Sequence, residues 1–432
     1  MSYVEERIME LSNAENRRSQ IYKLFNVLQQ YNVTALKIDG RRIKVAENHW
    51  VNDFASCNYL GLDLDPEMQM DVKEQIIKWG VHPSWCRLVA SPYIYQEAEE
   101  RLADLIGVES TLIFPTVTLI SIGVLPALVG KSGVLFLDKS GHETMYEAAK
   151  IARDNGAKLE SFKQDDFKSL EALLIKHNDN NRKVILVDGV YSMSGDFVSL
   201  KNLIKLAKKY EALVYIDDAH GFGIVGQEPT ADVPLGFKGN GIVKYHGLDY
   251  ENIIYVGGCS KAYSSLAAFV GCSYKMRSFL QGFATPYDLS GPCPTASLAT
   301  LLKGLEINEK RGGSYRSQLW ELTQMALNGL RNLGFTVLNN TGFPIVYVVI
   351  GDNADLITTA NILFRQGILV TVSPYPMVSI GQEGHRITLT AANTKSEVQQ
   401  LLAAFAEVRN YLCEVGRFGI EMKSEISSVD IY

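Results

Sequence analysis

Short apolar segments that end in polar residues recur along the middle of the chain. They include Thr111–Phe114, Val134–Asp138, Val184–Asp188, Leu213–Asp217 and Ile253–Gly257. Segments with helical periodicity lie between several of them, for example Tyr146–Asn155 and Leu200–Tyr210. Continuous apolar strands separated by helices are typical of a parallel sheet that is buried on both faces. This pattern predicts an α/β domain.

The pattern changes on either side of this region. Residues 1–50 are polar, with a helical pattern at Arg17–Tyr31 and a short strand pair within Ala35–Val45. A long helix from Ala296 leads into a mixture of strands and helices: Thr336–Leu338, Ile345–Ile350, Asp355–Gln366, Leu369–Val372, Ile387–Thr390 and Ser396–Tyr411. We therefore predict an N-terminal arm at 1–50, a large domain at 51–300 and a smaller α+β domain at 301–432.

One uncharged stretch, Leu112–Val129, is long enough to be considered as a membrane span. It contains Pro115 and Pro126, and the sequence has no second stretch of this kind. A buried strand that leads into a buried helix explains the segment better, so we predict no membrane span.

The composition of the chain argues against several kinds of partner, metal site and targeting segment. The 42 basic and 48 acidic residues give a net charge of −6, without a long Lys/Arg run, so no nucleic-acid partner is expected. The six cysteines form no C-x-x-C pair and show no metal-ligand spacing, which indicates reduced thiols in a cytoplasmic protein without a metal site. The N-terminal MSYVEERIMEL is too acidic for a signal peptide.

Chemically useful side chains follow four of the predicted strands. Asp217 and His220 follow one strand, Lys261 follows another, and His142 and Ser192 follow two more. The carboxyl ends of parallel strands meet at one edge of a sheet, where ligands bind in such folds. We therefore expect these residues to lie together.

This set of residues suits pyridoxal 5′-phosphate (PLP). PLP needs an amine that holds its aldehyde as a Schiff base and a carboxylate that keeps its pyridine nitrogen protonated. It also needs a flat side chain over the ring and donors to its phenolic oxygen. We assign Lys261, Asp217, His142 and His220 to these roles in turn, with Ser192 as a second phenolate partner. Each residue alone has an ordinary explanation, such as a loop lysine or a helix N-cap, and the combination carries the prediction.

Longer strings around these residues resemble a known family. VYIDDAHGFGIVG, GGCSKAYSS and DGVYSMSGDFVSL are similar to the α-oxoamine synthases, a branch of the fold-type I PLP enzymes. The resemblance covers nearly the whole chain. It extends to FASCNYLGL at Phe54–Leu62, LDKSGHETMYEA around His142, SGPCP at Ser290–Pro294 and HRITLTAAN at His385–Asn393.

The resemblance implies a fold and a reaction. The fold is a large domain with a mostly parallel seven-stranded sheet and a smaller C-terminal domain. The reaction joins an acyl-CoA, or another acyl thioester, to a small amino acid, usually with decarboxylation, and gives an α-amino ketone. Lys261 would remove the α-proton, and His142 would contact the substrate as well as the ring.

The resemblance also implies a partner and a substrate-binding residue. Members form homodimers with shared active sites, and Ser290 would reach the phosphate bound by the neighbouring subunit. Arg386 would bind the substrate carboxylate, for which a guanidinium offers two parallel hydrogen bonds.

Several positions depart from the family pattern. Gly258 stands where a phosphate-binding Thr is usual, and Thr116, Val117 and Thr118 replace a Ser-Gly-aromatic turn. We expect these three residues, with Ser260 or Ser264, to bind the phosphate instead. Cys57 followed by Asn58 stands where many members have an Asn that contacts the substrate. The amino acid and the acyl chain therefore cannot be transferred from any one member.

Other interpretations are weaker. Gly221, Gly223 and Gly226 match the dinucleotide-binding G-x-G-x-x-G, but the first glycine does not directly follow the strand. Gly130-Lys131-Ser132 lacks the earlier glycine of a P-loop. An aminotransferase or lyase on the same fold stays possible from the residues alone. A non-catalytic partner subunit is disfavoured because Lys261 is present.

Overall fold

The computed structural model describes residues 2–13, 17–180 and 182–418. The strands are β1 Lys37–Asp39, β2 Arg42–Ala46, β3 His49–Asp53, β4 Ser110–Phe114, β5 Val134–Asp138, β6 Lys158–Phe162, β7 Lys183–Asp188, β8 Leu213–Asp218, β9 Ile253–Gly258, β10 Ala268–Cys272, β11 Val337–Leu338, β12 Ile345–Val349, β13 Ile368–Leu369, β14 Thr371–Ser373 and β15 Gly384–Thr388.

The helices alternate with these strands over much of the chain. They are α1 Tyr3–Asn13, α2 Arg17–Phe25, α3 Pro66–Trp79, α4 Tyr93–Ile106, α5 Val117–Val129, α6 Glu143–Asp154, α7 Phe167–Lys176, α8 Leu200–Lys209, α9 Ile242–Tyr245, α10 Tyr274–Phe283, α11 Thr285–Leu289, α12 Thr295–Asn332, α13 Asn353–Arg365 and α14 Lys395–Glu414. A 3₁₀ turn covers Leu62–Leu64.

The larger of two compact units comprises Asn58–Ser192 and Asp196–Gln318. Its seven-stranded sheet has the order β4-β10-β9-β8-β7-β5-β6. Strand β10 is antiparallel to both of its neighbours, and the other pairs are parallel. The predicted mostly parallel seven-stranded sheet is therefore confirmed.

Two strands of this sheet were not predicted. Strand β6 lies at the edge of the sheet and is mostly half-buried, so its sequence lacks the continuous apolar run of a central strand. Strand β10 is fully buried, but its alanine and glycine give a weak β signal.

Helices α5 and α6 pack on the seven-stranded sheet and begin beside its carboxyl edge. Their buried residues, which include Ile120, Val124, Met145 and Ala149, form one core with strand residues such as Leu137. This burial fixes where both helices begin, directly beside the ends of β4 and β5.

The uncharged stretch 112–129 divides as expected between a strand and a helix. Strand β4 is buried throughout, and α5 follows it after a two-residue turn. None of the helices in the described part of the chain combines the length and apolar character that crossing a membrane requires.

The smaller unit joins the chain up to Cys57 with Met193–Gly195 and the chain from Leu319 onward. It contains two four-stranded sheets, with the orders β1-β2-β3-β13 and β11-β12-β15-β14. Strand β13 pairs in parallel with β3, with Ile368 opposite Asn52. The segment predicted as the single strand Leu369–Val372 is thus divided between β13 and β14, which lie in different sheets.

This division differs from the predicted boundaries at 50 and 300. Strands β1 to β3 share a sheet with β13, so the N-terminal arm is part of the smaller unit. Helix α12 runs without a break through residue 300, and the boundary falls inside it at Gln318. The two ends of the predicted regions, residue 1 and residues 419–432, lie outside the described residues.

Candidate active site

The carboxyl edge of the seven-stranded sheet brings the predicted groups together. Helix α5 begins after β4, Lys261 follows β9, Asp217 is in β8, and His142 follows β5. One cavity at this edge is lined by Pro115, Thr116, Val117, Thr118, His142, Thr144, Asp188, Val190, Asp217, Ala219, His220, Ser260, Lys261, Leu266 and Ala267.

Most of the predicted site residues line this cavity. They are Thr116, Val117, Thr118, His142, Asp217, His220, Ser260 and Lys261. The others lie elsewhere: Ser192, Ser290, Asn58, Cys57 and Arg386 are not part of its lining.

Two of those outlying residues have local hydrogen bonds within the larger unit. The Asn58 Oδ1 atom accepts a hydrogen bond from the Ser264 hydroxyl at 3.4 Å. Ser290 directly follows α11, and its hydroxyl donates to the carbonyl of Gly291 at 3.1 Å. Ser192 is half-buried in the turn that follows Tyr191.

The start of α5 contributes to the lining of the cavity. The Thr116 hydroxyl caps the helix by accepting the Leu119 N–H at 3.2 Å. First-turn N–H groups of a helix have no partner within the helix, and together with the helix dipole they bind anions. Thr118 and Ser260 add hydroxyl groups to the same lining.

The substitutions at Val117 and Gly258 are connected in space. A Cβ atom on Gly258 would lie 2.9 Å from the Ala219 Cβ and 3.3 Å from the Val117 Cγ2. The side chains of Val117 and Ala219 therefore occupy the space that a side chain at position 258 would need. Glycine is required here because the walls of the cavity approach each other closely.

Two carboxyl groups lie side by side next to the lysine. Asp188 and Asp217 are directly opposite each other in the parallel register of β7 and β8, and both are buried. The Asp217 Oδ1 atom accepts the Ala219 N–H at 3.1 Å. The Asp188 Oδ1 atom accepts the His142 N–H at 3.1 Å. Burial, reinforced by the charge of Asp217, raises the pKa of Asp188 well above its usual range.

Asp188 was not among the predicted site residues. The signal for it was present, because the run Val184–Asp188 ends in a carboxylate just as Leu213–Asp217 does. Only the parallel register of the two strands shows that the two carboxyl groups are neighbours.

Each histidine is oriented by a hydroxyl group. His142 is the N-cap of α6, and its Nδ1 lies 2.8 Å from the Thr144 Oγ1. The Nδ1 of His220 lies 2.7 Å from the hydroxyl of Tyr59, and both of these residues are buried. Tyr59 was not predicted, because it is 161 positions from His220 in the sequence.

These groups fit PLP. The α5 N-terminus and neighbouring hydroxyls would hold the phosphate, and the Lys261 amine would hold the aldehyde carbon. Asp217 would face the pyridine nitrogen, and the imidazole of His142 offers a flat face for the ring. The cavity lining thus supplies each kind of group that the cofactor requires.

Arg386 and Cys57 contact each other in the smaller unit. Arg386 lies in β15, and its Nη2 donates to the Cys57 Sγ at 2.9 Å. The Nε of Arg386 is buried and has no hydrogen-bond partner among the described residues. The guanidinium therefore retains a donor for a further ligand.

The two rival nucleotide-binding patterns lack the required structure. The run from Gly221 to Gly226 forms turns after β8 and does not begin a helix. Gly130 follows the carboxyl end of α5 and precedes β5, whereas a P-loop leads from a strand into a helix.

Known proteins match this chain over most of its length. The sequence profile of the aminotransferase class I and II family matches residues 53–405. An 8-amino-7-oxononanoate synthase from Herminiimonas arsenicoxydans is 32% identical over 85% of this chain and 90% of its own length. The enzyme of the same name from Cellvibrio japonicus is 30% identical, covering 92% and 94%.

Solved structures show the same fold. A serine palmitoyltransferase from S. paucimobilis with bound PLP and myriocin has a TM-score of 0.82 at 22% identity, covering 92% of this chain and 96% of that one. An 8-amino-7-oxononanoate synthase from Francisella tularensis has a TM-score of 0.70 at 21% identity, covering 84% and 98%.

The chain belongs to the α-oxoamine synthases. This confirms the family that the sequence strings indicated, and with it PLP as the cofactor. The enzyme is a PLP-dependent C-acyltransferase, which joins an acyl thioester to an amino acid.

Proposed function

We propose that this α-oxoamine synthase joins a small amino acid to an acyl-CoA, loses carbon dioxide from the amino acid, and releases an α-amino ketone and coenzyme A. The observation that carries the proposal is the single cavity in which Lys261, Asp217 and two histidines meet the start of α5. Glycine, alanine and serine with medium or long acyl chains are the substrates we would test first.

We assign a separate role to each side chain of the cavity. PLP, when bound, supplies an electron sink for the charge that develops on the amino acid α-carbon. The Lys261 amine would hold the cofactor aldehyde, and it is the group that would accept the α-proton of the amino acid. Asp217 would keep the ring nitrogen protonated, and His142 would lie over the ring and hydrogen-bond the substrate. His220 would contact the phenolic oxygen, and Ser192, which is outside the cavity lining, is proposed as its second partner.

Arg386 is proposed as the residue that binds the substrate carboxylate. Its unpaired Nε supports this role, since a carboxylate can accept two parallel hydrogen bonds from one guanidinium. Cys57 already accepts a hydrogen bond from the Nη2 atom of Arg386. We therefore propose that Cys57, with Asn58, borders the bound amino acid and limits its size.

A homodimer is proposed as the working form. Trp85, Leu88, Val89, Phe283 and Leu289 are exposed apolar side chains of the larger unit. The two segments that carry them are joined by a hydrogen bond from the Cys86 thiol to Asp288 at 2.8 Å. Large exposed apolar surfaces are typical of interfaces between proteins. In such a dimer, Ser290 would reach the phosphate of the neighbouring subunit.

Light scattering tests the assembly. The purified enzyme should behave as a dimer, and Leu289→Arg should dissociate it or lower its affinity. A monomer with full turnover would exclude the shared active site.

We also propose that the enzyme works in the cytoplasm, which cell fractionation would check.

An aminotransferase or a lyase would use much the same cavity, so the cavity does not separate these reactions from the proposed one. Release of a free thiol does, because only the proposed reaction consumes an acyl thioester. The visible spectrum of the purified enzyme should change with one amino acid from a panel. The same amino acid should then cause free-thiol release from an acyl-CoA and release of its labelled carboxyl carbon. A spectral change without thiol release would favour the other two reactions. An enzyme that stays colourless with added PLP would favour a non-catalytic partner subunit.

A further inference from the structure

Asp188 is a buried carboxyl group that the proposed chemistry does not use. It lines the cavity between Asp217 and the segment that carries His142. Its one described hydrogen bond comes from the backbone N–H of His142, at 3.1 Å. An ionised carboxylate in such a place would need several donors or a cation to replace its lost hydration.

The surroundings of Asp188 hold more negative than positive charge. The titratable groups around it are Asp217 on β8, Asp138 on β5, His142 before α6, Lys261 after β9, Tyr191 after β7 and Tyr215 on β8. Among them, Lys261 lowers the pKa of Asp188, and its effect is smaller than those of burial and Asp217, which raise it.

Of the two neighbouring carboxyl groups, Asp138 has two described hydrogen-bond donors, and Asp217, like Asp188, has one. Asp138 accepts a hydrogen bond from the Tyr191 hydroxyl at 2.5 Å and another from the Ser140 N–H at 2.8 Å. Asp217 accepts the Ala219 N–H and would face the protonated ring nitrogen of PLP. A cation favours the charged form of the carboxyl that it contacts, whereas two adjacent buried carboxylates disfavour each other.

We propose that Asp188 is a neutral carboxylic acid that holds the backbone of His142 in place and leaves Asp217 as the charged carboxyl of the pair. Asp188 is then a positioning residue, because it acts on the ring-stacking group through the backbone of His142. The proposal extends the proposed placement of PLP over Asp217 and His142. It also explains how two carboxyl groups can be neighbours in register without mutual repulsion.

Asparagine is the test substitution, since its amide keeps the oxygen that accepts the His142 N–H but never carries a charge. Asp188→Asn should bind PLP within about threefold of the wild-type affinity, measured by absorbance titration of the full-length apo-enzyme. Asp217→Asn makes the same chemical change on the neighbouring carboxyl and should weaken PLP binding at least about tenfold. Asp188→Leu removes the acceptor and should also weaken binding, by about tenfold.

Thermal stability of the apo-enzyme supplies a measurement that needs neither cofactor nor turnover. A carboxyl whose pKa is higher in the folded state than in the unfolded state makes the protein less stable as pH rises between the two values. Asp188→Asn removes this dependence. The Tm of the variant minus that of the wild type should therefore increase between pH 6 and pH 8, by roughly 1–3 °C.

The two measurements separate this proposal from the proposed function. If Asp188→Asn binds PLP tenfold more weakly, or if the Tm difference is the same at pH 6 and pH 8, Asp188 is charged and the proposal is overturned. An enzyme with a different substrate pair would leave both results unchanged. If Asp188→Leu fails to fold, the comparison of Asp188→Asn with Asp217→Asn still shows whether Asp188 is neutral.

Discussion

The two ends of the cavity are built in different ways. The end proposed to hold the phosphate consists of Thr116, Val117, Thr118, Gly258 and Ser260, several of which depart from the family pattern. The end proposed to hold the ring consists of Asp217, His220, Lys261 and His142, all of which match it.

The difference follows from which atoms carry the chemistry. Backbone N–H groups at a helix start can bind a phosphate, and nearly every residue type supplies them. A Schiff base needs a lysine amine, and a protonated ring nitrogen needs a carboxylate. The proposed phosphate end therefore depends less on the type of side chain than the ring end does.

The largest effect is expected at Lys261. Lys261→Ala removes both the cofactor linkage and the proposed base, so turnover should fall at least about 1,000-fold, measured as thiol release. The circular dichroism spectrum should stay unchanged, which serves as the control for folding. Turnover near the wild-type rate would remove Lys261 from the mechanism.

Asp217→Asn should have the next largest effect. The amide keeps the shape of the side chain but cannot stabilise a protonated ring nitrogen, so turnover should fall by about 100-fold. The loss should persist when PLP is saturating, which separates it from weaker binding. Full activity at saturating PLP would show that the nitrogen is protonated by another group.

Gly258→Thr tests the phosphate end. Its side chain would collide with Val117 and Ala219, and we expect PLP binding to weaken about tenfold because overpacking costs roughly 1–3 kcal/mol. Adding Val117→Gly should recover at least half of that loss in free energy. Gly282→Thr is a matched control, because a Cβ atom there meets no atom within 4 Å. Additive effects of the two changes would show that positions 117 and 258 are independent.

Tyr59→Phe should have the smallest effect. It removes one buried hydrogen bond to His220, which is worth about 1 kcal/mol, and turnover should fall about fivefold. Tyr250→Phe is the control, since its buried hydroxyl has no hydrogen-bond partner among the described residues. Equal losses in the two variants would mean that the Tyr59 hydroxyl does not orient His220.

The central sheet could be predicted from the sequence because its strands have a local signal. Strands β5, β7, β8 and β9 are continuous apolar runs that end in polar residues, and the polar ends mark the edge where the cavity lies. Strands β6 and β10 lack such runs, since one is at the edge of the sheet and the other contains small residues.

The sequence by itself determined the family and the cofactor, and it supplied the proposed roles of Lys261 and Asp217. Only the tertiary structure decided which distant residues support them. Asp188 is a neighbour of Asp217 through strand register, Tyr59 meets His220 across 161 positions, and Val117 excludes a side chain at 258. The N-terminal strands likewise join β13 through long-range pairing. Such contacts depend on packing between separate segments, which leaves no local pattern in the sequence.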